Sequence, residues 1–192
     1  MNKKHLGLLV ALLLFVGVGV YTYARYQTEL NGEGTADVAK WAVVVKQNGS
    51  AVSEDFDLAF TVLDNAYVAD GKVAPGSEAT AQLVLDLTGT EVAVDYSVKL
   101  DTANVPEGMS FSSVKATVGS TVTTLTADAN GVYSGELTLA QVASDKLVTV
   151  DFVVTWENDD AKNAEHTAIG EADAAIVIPV EVTVKQHINT TP

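Results

Sequence analysis

The chain has 192 residues, 47% of them hydrophobic, and a formal charge of −14. Such acidity repels phosphate backbones and anionic headgroups, which argues against nucleic acid and peripheral membrane partners, while the apolar content is too high for disorder. There is no cysteine, so disulfides, thiol catalysis, thiolate metal sites and lipid attachment at a cysteine are excluded.

The N-terminus carries the first signal. Lys3 and Lys4 precede an unbroken apolar run over residues 6–20, and Thr22-Tyr23-Ala24 ends in small residues at the positions a signal peptidase reads. This predicts a signal helix over residues 1–24, cleaved after Ala24, with the remainder secreted to the cell surface or beyond. An uncleaved anchor is the alternative, because about nineteen residues give a helix of roughly 28 Å, close to the hydrocarbon thickness. Tyr21 and Tyr23 would then suit the outer interface. Membrane contact is expected through this segment alone.

Beyond Ala24 the hydrophobic period is two. Arg25, Tyr26, Gln27, Thr28, Glu29 and Leu30 alternate, with Tyr26, Thr28 and Leu30 on one face. Asn31-Gly32-Glu33-Gly34 then forms a flexible joint, so residues 25–34 read as an arm ahead of a domain over residues 35–188. Residues 37–46 read as a strand containing Trp41, ended by Asn48-Gly49, a strong hairpin signal. Residues 56–62 follow, then a loop through Asn65, Asp70-Gly71 and Pro75-Gly76.

Residues 79–87 and 91–100 place alternate apolar side chains on one face and predict an antiparallel pair joined at Thr88-Gly89-Thr90. Residues 109–118 give a further strand, and Asn130-Gly131 predicts a hairpin between residues 121–126 and 132–139. Residues 139–144 fit a single helical turn. Residues 147–156 and 175–186 give the longest strands, with Pro179 marking an edge or a bulge. About nine short strands without a long helical pattern predict an all-β domain, a sandwich or jelly roll. Residues 189–192 form a short tail.

Several of these segments, in order, resemble the TasA/camelysin family of secreted bacterial and archaeal surface proteins. The similarity lies in Ala74-Pro75-Gly76-Ser77-Glu78, in residues 87–96, in Val105-Pro106-Glu107-Gly108-Met109, in Val154-Thr155-Trp156-Glu157, in His166-Thr167-Ala168-Ile169-Gly170 and in Val184-Lys185-Gln186. It covers roughly residues 20–188. The chain departs from the family at Thr88, where asparagine is common, at His166, where aspartate is typical, and at Asn158, where a second tryptophan often stands. The resemblance implies a jelly roll and extracellular fibres or bundling pili of a biofilm matrix. In filament-forming members the N-terminal strand of one subunit completes the sheet of its neighbour. For this chain it implies residues 25–30 as donor strand, and copies of itself as head-to-tail partners. The arm's own alternation fits that role; without the resemblance, a disordered or self-pairing terminus is the favoured reading, and with it donation is.

Other chemistry finds little support. Some camelysin relatives are described as metalloproteases, but such an enzyme needs two histidines one helical turn apart with a glutamate base. The histidines here are His5, His166 and His187. None is spaced for that, no helix is predicted to hold them, and His166 and His187 read as surface histidines. The expectation is a protein without catalytic activity or obligatory cofactor. Glu157, Asp159, Asp160 and Glu165, with Asn158 and Asn163, concentrate oxygen ligands without the spacing or glycine of a calcium-binding hand. They read as a solvated acidic turn, with weak Ca²⁺ binding the alternative. Trp41 and Trp156, on alternating strands, read as core rather than as sugar-stacking platforms. An adhesin-like binding module is the competing function. Asn48 and Asn189 begin glycosylation sequons.

Overall fold

The computed structural model describes residues 38–52, 56–63, 66–103, 105–172 and 175–188. The chain divides into two units, Met1–Ala39 and Lys40–Pro192. Val38 and Ala39, the described residues of the first, are exposed. The predicted signal helix and arm lie outside the described residues.

The second unit is mostly β, with eleven strands among the described residues in two antiparallel sheets. The larger sheet orders β2 (Ser50–Ala51), β1 (Val44–Gln47), β5 (Glu78–Asp86), β10 (Leu147–Trp156), β7 (Met109–Val118) and β8 (Thr121–Thr124), and β4 (Thr61–Val62) also pairs with β5. The smaller orders β3 (Phe56–Asp57), β11 (Pro179–Gln186), β6 (Val94–Leu100) and β9 (Val132–Leu137). The inward positions of both sheets form one core. Leu83, Leu85, Val148, Val150 and Phe152 from the larger meet Val94, Tyr96, Val98, Leu137 and Val180 from the smaller. Tyr133 of the smaller sheet stacks edge-on against Phe152 of the larger, with centroids 6.5 Å apart. Alternation drives this directly, since each period-two run has one face to hide.

Two predicted hairpins are corrected. Residues 79–87 and 91–100 form β5 and β6, but they lie in different sheets. Leu87 and Thr90 are buried, and Thr90 N–H donates to the Leu87 carbonyl at 2.8 Å, so the tight turn forms, but it is tied to residues 40–42 and passes the chain to the other sheet: Glu91 N–H donates to the Lys40 carbonyl at 2.9 Å. Asn130-Gly131 does turn the chain, with the Asp128 carboxylate accepting from the N–H groups of Asn130 (2.8 Å) and Val132 (3.0 Å). It joins β8 of one sheet to β9 of the other, however, and β8 pairs with β7. Asn48-Gly49 forms the expected hairpin between β1 and β2, with φ of 51° and 79°.

Two helices bracket β10. α1 (Leu139–Ser144) is the predicted turn, started by a capping box in which Thr138 and Gln141 satisfy each other's backbone N–H. α2 (Asn163–Ala172) was not expected. It follows a 3₁₀ turn, Asp160–Lys162, within the stretch read as an acidic loop.

Candidate functional site

Antiparallel pairing fixes where each backbone group of β11 points. Pro179 accepts from Asp101 N–H at 2.9 Å and His187 N–H donates to Ala93 at 2.8 Å, so odd-numbered residues of the strand exchange bonds with β6. The even-numbered residues face the other way. There, Leu58 N–H donates to Ile178 at 2.8 Å, and β3 covers Pro179 and Val180. Among the described residues no strand pairs with residues 181–186 on that side. The N–H and C=O groups of Val182, Val184 and Gln186 therefore point away from β6 along a sheet edge that no described strand covers.

The same residues set the edge's side-chain character. Ile178 and Val180 are buried, whereas Val182 and Val184, further along the same inward face, are only half-buried. Both pack against the core as partly covered members, as do Val43 and Val45 at β1 and Phe56 at β3. Apolar side chains at an unpaired edge describe a groove that is chemically ready for a further strand. Pro179 was the available sequence signal, and it sits at the first residue of β11, where a strand tolerates proline, its pair with Asp101 keeping one bond instead of two.

The other predicted residues are scattered. Residues 25–30, the cleavage position after Ala24, His5 and Asn189 lie outside the described residues. Asp159 caps the 3₁₀ turn, its carboxylate accepting from Ala161 N–H at 2.9 Å. Glu157, Asp160 and Glu165 are exposed. These four carboxylates do not converge as a ligand group among the described residues. Lys162, from the same stretch, pairs with Glu107, whose carboxyl it holds below the usual range.

His166 is a correction. It is on α2, 6% exposed, and its ring lies edge-on to Trp156 with centroids 5.5 Å apart. The helix carries it inward, which a loop reading could not anticipate. Neither of its ring nitrogens, nor Trp156 Nε1, has a hydrogen-bond partner among the described residues. Trp156 is core, as expected, but Trp41 is 44% exposed. It precedes β1, outside the alternation that would have turned it inward. Beside Trp156 a cavity of about 590 Å³ is lined mainly by Leu58, Phe60, Val62, Ile169 and Ile176.

His187 lies just past β11, its Nδ1 2.8 Å from Asp95 Oδ1 and its Nε2 3.5 Å from Glu136 Oε1. The hydrogen bond to Asp95, and then the charge of both carboxylates, raises its pKa above the usual imidazole range. Sequence reading missed this grouping, because it assembles from three strands distant in the chain. No protein-family model matches the chain, and none of the curated proteins does.

Proposed function

We propose that this chain is a secreted, non-catalytic structural subunit, a jelly roll similar to TasA/camelysin proteins, which polymerises into extracellular fibres by strand donation. Residues 25–30 of one copy add to the open edge of β11 in the next. The observation that carries this reading is the outward-facing N–H and C=O of Val182, Val184 and Gln186 beside two half-buried valines.

Length and pattern match. Six arm residues would lie along six edge residues, 181–186, and Tyr26, Thr28 and Leu30 alternate so that one face would cover Val182 and Val184. Each new main-chain hydrogen bond contributes about 1 kcal/mol net. Burying Tyr26 and Leu30 adds roughly 1.5–3 kcal/mol apiece before ordering costs are deducted. Donation from copy to copy does not close on itself, so it builds filaments. Export supplies the free arm, because cleavage after Ala24 would make Arg25 the first residue.

The test is electron microscopy of exported protein lacking residues 25–30. Loss of fibres, with the domain still folded, supports donation; unchanged fibres refute it.

The half-exposed Trp41 favours a second reading, an adhesin-like module that stacks a glycan on the indole. Glycan binding abolished by Trp41→Ala, in protein that stays monomeric at high concentration, would establish it in place of the first.

A further inference from the structure

Asp95 on β6 and Glu136 on β9 are direct cross-strand partners on the outer face of the smaller sheet. Two carboxylates in register repel, and sheets ordinarily avoid this pairing. A local rule broken on a rigid scaffold asks for a compensating cation. Lys185 is Asp95's direct partner on the other flank, yet the group drawn into the pair is the imidazole of His187, one pleat further along.

The two sides of that ring are held differently. Nδ1 is 2.8 Å from Asp95 Oδ1, a hydrogen bond that fixes the ring's orientation and places its proton on Nδ1. Nε2 is 3.5 Å from Glu136 Oε1, too long for a strong hydrogen bond. It matches the separation of two ligands on one tetrahedral ion, roughly 3.3–3.5 Å when each bond is 2.0–2.1 Å. Ligand atoms of all three residues lie within 4.8 Å of one another. The site is open to solvent, and a recess of about 490 Å³ beside it is walled by Ser97, Ser134 and Thr183.

We propose that His187 and Glu136 bind a borderline divalent cation of the Zn²⁺ type, with Asp95 as the residue that positions the imidazole. A nitrogen–oxygen donor set suits Zn²⁺, whereas Ca²⁺ and Mg²⁺ prefer oxygen alone. Water fills the remaining coordination positions, so the site is open rather than closed. It does not depend on fibre formation.

The test is calorimetric titration of ZnCl₂ into the full chain, with CaCl₂ as comparison and Co²⁺ absorption as a probe of coordination. One equivalent of Zn²⁺ should bind, with no matching heat from Ca²⁺. Glu136→Gln and His187→Gln should each weaken binding roughly tenfold or more, and Asp95→Asn by a comparable or smaller factor, in the range seen for groups that orient ligands. Thermal unfolding supplies a second readout: the same excess of Zn²⁺ should raise Tm in the unaltered chain and raise it less in Glu136→Gln. Absence of Zn²⁺ uptake, or uptake and Tm shift untouched by Glu136→Gln and His187→Gln, would overturn the proposal.

Discussion

Lys46 Nζ lies 2.7 Å from Asp86 Oδ2, across the register of β1 and β5. That bond, joined by bonds from the Thr88 hydroxyl and N–H, lowers the Asp86 pKa to about 2. A depressed carboxylate stabilises the fold above its unfolded pKa of about 3.9 and loses that contribution as pH falls toward 2. Because the Lys46 side chain is 35% exposed, solvent screening limits the pair to roughly 0.5–1 kcal/mol. Lys46→Met should therefore lower stability at pH 7 by about that amount, and the deficit should shrink between pH 4 and pH 2. Denaturant unfolding at both ends of this window checks it. An unchanged deficit at pH 2 would show that the loss has another origin.

Thr90 ties the segment before β1 to the link between β5 and β6. Its Oγ1 donates to the Ala42 carbonyl at 2.5 Å and accepts from Ala42 N–H at 3.1 Å. Thr90→Ala should cost about 1–3 kcal/mol by leaving both groups unpaired. Thr90→Ser keeps the hydroxyl and should cost under about 1 kcal/mol. Chemical denaturation distinguishes the two, and equal losses would contradict the hydrogen-bond account.

Gly108 holds φ of +81°, and a side-chain carbon there would stand 3.4 Å from His166 Nε2. Gly108→Ala should destabilise by about 1 kcal/mol or more, through left-handed strain alone. His166→Leu should be neutral or stabilising, because it replaces two buried, unpartnered nitrogens with apolar surface. A loss above about 2 kcal/mol would mean that the imidazole has a partner, such as a buried water. Thermal unfolding of both variants is sufficient.

Strand content was legible wherever one face of a run is buried. Residues 109–118 and 147–156 form β7 and β10 with the bounds their alternation implied. Pairing was not legible, since Thr88-Gly89-Thr90 and Asn130-Gly131 look like hairpin turns whether they stay in one sheet or cross to the other. What decides is non-local: Leu87 and Leu125 are pulled into the core at these crossings. α2 escaped because its hydrophobic contrast is weak, with His166 as its buried residue among small and acidic neighbours. Val182 and Val184 were visible as an apolar face, but nothing local to residues 181–186 says that one flank has no strand partner among the described residues. The grouping of Asp95, Glu136 and His187 likewise exists only once β6, β9 and β11 are side by side.

Amide hydrogen exchange at β11 tests the central claim most directly. In protein lacking residues 25–30, the amides of Val182, Val184 and Gln186 should exchange fast, while those of Glu181, Thr183 and Lys185, facing β6, stay protected. In assembled fibres of the intact secreted chain, all six should be slow. Protection of Val182 and Val184 already present in the shortened monomer, or fast exchange at both within fibres, would contradict strand donation at this edge.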